Sequence, residues 1–172
     1  LARVEDFDGM VEDMSVNPLK DVLAVLSSFE ILLINYQGEI ISRISDPEEI
    51  PNCCIDFSSR GTMVTGTSSG VVRVWDGEKA VISIEPKERE TCSIQALMVY
   101  DDRIAVVFSE FNDTLNCMNN LVVIGLNGEQ LHKEDLHTTV LFPLIRIGWN
   151  DDDREIFIGM NAKVYRFDTQ GK

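Results

Sequence analysis

The sequence predicts an all-β repeat protein, and three observations carry that reading. First, a short turn recurs. Tyr36-Gln37-Gly38-Glu39, Trp75-Asp76-Gly77-Glu78 and Leu126-Asn127-Gly128-Glu129 each read large apolar, polar or acidic, Gly, Glu, and Phe167-Asp168-Thr169-Gln170-Gly171 repeats the pattern with two residues inserted before the glycine. Second, the spacing is near-regular: Tyr36 to Trp75 is 39 residues, Trp75 to Leu126 is 51 and Leu126 to Phe167 is 41. Third, the intervening segments are four to seven residues long, rich in Val, Ile and aromatics, and bounded by Gly, Asn, Asp or Ser. Those are strand and turn signals, and no helical periodicity competes with them. A period near 40 is the length of one four-stranded propeller blade.

The elements follow in order. Unit one has strands in Val11–Pro18, Asp21–Leu26 and Ile31–Tyr36. Unit two has Cys53–Phe57, a polar turn at Ser58-Ser59-Arg60-Gly61, then Thr62–Thr67 and Val71–Trp75. Unit three has Ile94–Tyr100, a turn at Asp101-Asp102, then Ile104–Phe108 and Leu121–Ile124. Unit four has Leu144–Trp149, a turn at Asn150-Asp151-Asp152-Asp153, then Ile156–Gly159 and Val164–Phe167. Outer strands follow three of the turns, at Ile40–Ile44, Ala80–Ile84 and Gln130–Lys133. Blades are therefore expected over about 9–45, 50–86, 92–134 and 140–172, within one propeller segment spanning 1–172.

The turn has a physical reason. Its glycine takes positive φ without steric cost and closes a hairpin. The Asp or Asn before it bonds its own backbone, and the large residue before that ends a strand and packs on a neighbouring blade. Nothing in the turn demands chemistry.

At these residues the chain resembles the WD-repeat β-propeller family. Ile55 to Asp76, IDFSSRGTMVTGTSSGVVRVWD, looks like that family's two inner strands, turn and Trp-Asp-terminated third strand. The likeness covers roughly residues 11 to 171, with Tyr36, Leu126 and Phe167 where the family has Trp. The family's Gly-His dipeptide is missing, so its buried His–Asp network is not carried over and apolar packing is expected to hold the blades. The resemblance implies a WD-repeat type β-propeller with four four-stranded blades visible, part of a larger ring. Unit four ends after its turn without an outer strand. In such rings an N-terminal strand often supplies it, but Leu1, Val4 and Phe7 do not alternate as a strand should. A partner segment or further chain is expected to complete the ring, since an open arc leaves unsatisfied faces and edges.

Composition narrows the function classes. The 172 residues are 44% hydrophobic and 26% charged, enough for a sizeable core and unlike a disordered chain. No apolar run approaches the ~20 residues that span a bilayer, and the start has no signal-peptide pattern. It also lacks an initiator Met, as an excerpt or a processed chain would. Fifteen basic and 29 acidic residues give a net charge of −14, which repels phosphate backbones and argues against nucleic-acid binding. It keeps the surface soluble, and it suits partners with basic surfaces. Cys53, Cys54, Cys92 and Cys117 show no CxxC pair and no His at ligand spacing, so reduced core thiols are expected rather than zinc ligands. That usage fits an intracellular compartment, cytoplasmic or nuclear.

The sites are sought where the repeat fails. The 51-residue interval places its excess between the second and third strands of unit three, Ser109 to Asn120. Insertions in repeat proteins map to loops on one face, often the binding face. Glu110, Phe111, Asp113, Leu115 and Met118 are the candidate partner-binding residues, against the alternative of a longer hairpin that folds its apolar residues onto the blade. Asp13, Cys54, Ala96 and Arg146 align on the first, channel-lining strands, so Asp13 and Arg146 are candidates for a channel ion pair or ligand site. Trp149 aligns with Val16, Phe57 and Val99 and reads as core. Asp151-Asp152-Asp153 lacks the alternating ligands of a calcium loop. No nucleophile elbow, phosphate loop or HExxH motif occurs, and His132 and His137 fall in or beside an outer strand. The expected function is a non-catalytic protein-interaction scaffold in an intracellular complex, without a cofactor. The alternative is a small-ligand or enzymatic propeller with its site at the channel.

Overall fold

The computed structural model describes residues 10–27, 29–45, 51–84, 92–111, 117–136, 145–150, 155–160 and 163–168, and every regular element among them is a strand. The first sheet holds β1 (Asp13–Val16), β2 (Val22–Leu26), β3 (Glu30–Asn35) and β4 (Ile40–Ser45). The second holds β5 (Asn52–Phe57), β6 (Met63–Thr67), β7 (Val72–Asp76) and β8 (Lys79–Ile84). The third holds β9 (Cys92–Tyr100), β10 (Arg103–Phe111), β11 (Cys117–Gly125) and β12 (Gln130–Asp135). The fourth holds β13 (Ile145–Asn150), β14 (Glu155–Met160) and β15 (Lys163–Asp168). Each sheet is an antiparallel meander in chain order.

The sheets stand in series. β5 packs beside β1 and β9, and β9 beside β13, so the first strand of each sheet lines one inner side. This is the blade arrangement that the period near 40 predicts. Residues 1–7 and the chain beyond Asp168 lie outside the described residues, as do Asp151, Asp152, Asp153 and His137.

Strand alternation gives each sheet a front, toward the next sheet, and a back, toward the preceding one. The first joint sets Ala24, Leu26, Ile31 and Ile44 against Ile55, Phe57, Met63 and Trp75. The second sets Cys54, Val64, Val72 and Val74 against Ile94, Ile104, Val106 and Ile124. The third sets Ala105, Val107, Leu121 and Val123 against Ile156, Ile158 and Met160. The core is thus split into layers between sheets, and the second and third sheets are each packed on both faces.

The register bears out one alignment and corrects another. Val16↔Leu23, Phe57↔Met63, Val99↔Ile104 and Trp149↔Ile156 occupy one row, and Asp13, Cys54, Ala96 and Arg146 another. The Trp75 slot, however, is filled in the first and third sheets by Ile34 and Ile124, not by Tyr36 and Leu126. Leu23 pairs with Ile34, Met63 with Trp75, Ile104 with Ile124 and Ile156 with Phe167. The turns explain the offset. Gly77-Glu78 is a two-residue turn closed by the Asp76↔Lys79 pair. Tyr36-Gln37-Gly38 and Leu126-Asn127-Gly128 are three-residue loops, in which the glycine N–H donates to the carbonyl of Asn35 or Gly125 and the glycine φ is 86° or 87°. Tyr36 therefore sits in its loop, not at a strand end, and is exposed.

Candidate interaction surfaces

The inserted residues lengthen two strands before they make a loop. β10 and β11 are nine residues each, where β2 and β6 have five. β14 and β15 have six, so at about 3.3 Å per residue the hairpin is roughly 10–13 Å longer than its counterparts. The expectation of a loop over Ser109–Asn120 is corrected accordingly: ladder pairing continues through Phe111↔Cys117. The reason is local. Ser109 Oγ donates to Asn119 Oδ1 at 2.6 Å inside the sheet, so the polar pair is satisfied where it is buried, and the strand absorbs a register shift against β9 between Val107 and Phe108.

Glu110 lies across the ladder from Met118 and beside Cys92. Its carboxylate meets Lys133 of β12 at 3.8 Å, which ties the hairpin to the outer strand. β12 follows β11 only as far as Asn120, after which the Leu136 N–H donates to the Asn119 carbonyl. Met118 lies past that point and is half-buried. The backbone of Phe111 is in β10; Asp113 and Leu115 lie outside the described residues.

The inner strands do not form the Asp13–Arg146 pair in any described contact. Asp13 Oδ2 accepts from the Ile55 N–H at 2.9 Å, so this carboxylate binds the next blade. The side chain of Arg146 lies outside the described residues, and its backbone pairs with Gly159. Asp56 does more. Its Oδ1 accepts from Ser15 Oγ at 2.8 Å and its Oδ2 from the Val99 N–H at 2.8 Å, so one side chain joins three blades. The turns between first and second strands are joined similarly: Asn17 Nδ2 donates to the Gly61 carbonyl, Ser59 Oγ to Asp101 Oδ1, and Arg60 pairs with Asp102. Sequence reasoning missed these ties. The signal was present as acids or small hydroxyls recurring about 42 residues apart, but partner atoms on other blades are invisible in one repeat.

Apolar packing is also not the whole of the blade core. Trp75 is 4% exposed, and its indole Nε1–H donates to Thr65 Oγ1 at 3.0 Å. Cys53, Cys54 and Cys92 are thiols, with Cys53 Sγ donating toward the Ile94 carbonyl at 3.1 Å across the second joint. Among the described residues no three His, Cys, Asp or Glu side chains are grouped to hold a metal ion, and no helix is long and apolar enough to cross a membrane. His132 is half-buried beside Glu134, 3.8 Å away on the outer strand.

A solved chain from the Mitotic Checkpoint Complex superposes with a TM-score of 0.69 at 13% identity. The chain has a WD-like β-propeller fold. The match covers 94% of this chain and 47% of the other, so these residues span about half the length of the chain they match. At that identity the likeness concerns the fold alone. No family model and no curated protein matches the sequence.

Proposed function

We propose that this protein is a non-catalytic interaction scaffold, a propeller that serves as a platform subunit in an intracellular multiprotein complex. The observation that supports it best is the third blade's hairpin, whose two nine-residue strands outrun those of the other blades and include Glu110, Phe111 and Met118. A tall, rigidly braced hairpin presents a constant surface at little ordering cost, which favours protein recognition. The surrounding charge of −14 adds steering for a basic partner. The solved chain of similar fold belongs to a protein complex, which agrees with such a role.

The test is purification from its own cell with identification of stoichiometric partners, followed by binding measurements on a Phe111→Ser, Met118→Ser double variant. The scaffold reading expects a defined complex and at least tenfold weaker binding by the variant, with unchanged thermal unfolding. A lone monomer that turns over a substrate overturns it.

A further inference from the structure

The outer strands of the first three blades share one irregularity. Each carries a β-bulge at the same rung of its ladder. Leu33 pairs with Ser42 and Ile34 with Ile40, so Ile41 is left over. Val81 is left over between Ala80 and Ile82, and Leu131 between Gln130 and His132. All three left-over residues are branched aliphatics, and they are 54%, 56% and 47% exposed. A bulge blunts an open sheet edge, but that task suits a charged side chain, Lys above all. Single exposed apolar residues are ordinary on a protein surface, whereas one kind at the same rung of three successive blades is not.

Each bulge follows the glutamate of the recurring turn: Glu39 before Ile41, Glu78 before Val81, Glu129 before Leu131. All three glutamates are exposed. Two contacts join the blades into one rim. Ser42 Oγ, next to Ile41, donates to Glu78 Oε1 of the second blade. Gly128, next to Glu129, packs on the second blade's outer strand beside Val81; a Cβ there would stand 3.6 Å from Ile84 and 3.9 Å from Ile82. Aliphatic and carboxylate side chains therefore alternate round the rim, in the order Ile41, Glu78, Val81, Glu129, Leu131. Of the cations on these strands, Arg43 is paired with Glu30 and Lys133 with Glu110, while Lys79 closes the second turn opposite Asp76.

We infer that this rim binds a basic segment of another protein that carries aliphatic side chains between its Lys and Arg residues. Ile41, Val81 and Leu131 supply the apolar contacts, and the carboxylates between them select cations. The net charge of −14 turns away the other occupants: nucleic acid and anionic membrane surfaces are repelled, and a second copy of this chain is equally acidic. The rim is a surface separate from the tall hairpin, and its use rests on the scaffold reading only in that the occupant is a protein.

The test places a photo-crosslinking phenylalanine analogue at Val81 in the protein in its own cell, with Phe29 of the first blade, 52% exposed, as the control site. Crosslinked peptides are sequenced by mass spectrometry, and the segment found is synthesised and titrated against the purified full chain by fluorescence anisotropy. Expected is a positively charged segment of another protein, with aliphatic residues among its Lys and Arg, that is absent from the Phe29 control. The Ile41→Ser, Val81→Ser, Leu131→Ser triple variant should bind it about tenfold more weakly. The Glu39→Gln, Glu78→Gln, Glu129→Gln variant should bind more weakly too, with a flatter salt dependence. Both should melt as the parent chain does, because the six side chains are exposed; Val81→Thr alone serves if the aliphatic variant melts lower. An acidic or wholly polar segment, a crosslink to a second copy, an affinity unmoved by the aliphatic substitutions, or no product above the Phe29 background overturns the inference. The Phe111→Ser, Met118→Ser variant should hold the segment with unchanged affinity, and a loss there instead would place it on the hairpin and overturn the rim. The complex recovered by purification reports the scaffold reading separately, so either can fail while the other stands.

Discussion

At the residue scale, a few polar side chains decide how the apolar layers lock together. Trp75 is the clearest case. Its ring fills the first joint, and its N–H is satisfied by Thr65 within the same sheet. Trp75→Phe keeps most of the apolar area but leaves the Thr65 hydroxyl buried without that donor. A loss of about 1–3 kcal/mol is expected in urea unfolding. Thr65→Val should cost a similar amount, and the Trp75→Phe, Thr65→Val double variant less than the sum, because the two share one bond. Asp56 makes a second case. Asp56→Ala removes acceptors for Ser15 and for the Val99 amide at once, so about 1–3 kcal/mol is expected, partly restored by Asp56→Asn, which keeps one carbonyl oxygen. If both substitutions leave the urea midpoint in place, the three-blade tie contributes nothing.

At the element scale, the sheet-to-sheet approach is set by what can fit. Gly66 of β6 faces Ile94 of the next blade so closely that an added Cβ would stand 2.9 Å from two of its side-chain carbons. Gly66→Ala therefore forces Ile94 or the sheet to shift and should cost about 1–3 kcal/mol as overpacking. Ile94→Val combined with it should recover part of the loss. Gly77 gives the opposite test. Nothing lies within 4 Å of a Cβ there, yet φ is +59°, so Gly77→Ala carries only backbone strain, about 1 kcal/mol.

The strands themselves were legible in sequence, because alternation and turn residues are local. The outer strands expected over Ile40–Ile44 and Ala80–Ile84 are β4 and β8 almost to the residue. The hairpin turns misled by similarity of letters. Tyr36-Gln37-Gly38-Glu39 and Trp75-Asp76-Gly77-Glu78 look alike, yet one is a three-residue loop and the other a two-residue turn. Ladder pairing, not the motif, decides which residue ends the strand. The long third interval misled in the same way, since the length of an insertion does not say whether it lengthens a loop or the strands on either side of it.

At the scale of the whole molecule, stability is a sum of blades and joints with nearest-neighbour coupling. The first and third joints share no residue in their buried clusters. Leu26→Ala in the first and Ile158→Ala in the third should each cost about 2–5 kcal/mol, and the double variant should match their sum within about 0.5 kcal/mol. A clear excess over additivity in the unfolding free energy would show that the arc folds as one indivisible core.

The sequence by itself determined that the chain is all-β, that it repeats near every 40 residues, and that glycines close its hairpins. Each follows from short-range sterics and two-residue periodicity, which neighbouring letters report directly. Only the tertiary structure decided that Ile34 and Ile124 take the Trp75 slot, that Asp56 spans three blades, and that the residues inserted in the third unit extend its strands. Those facts depend on register and on atoms some forty residues apart, and burial between two sheets is a property of the pair that neither strand encodes alone.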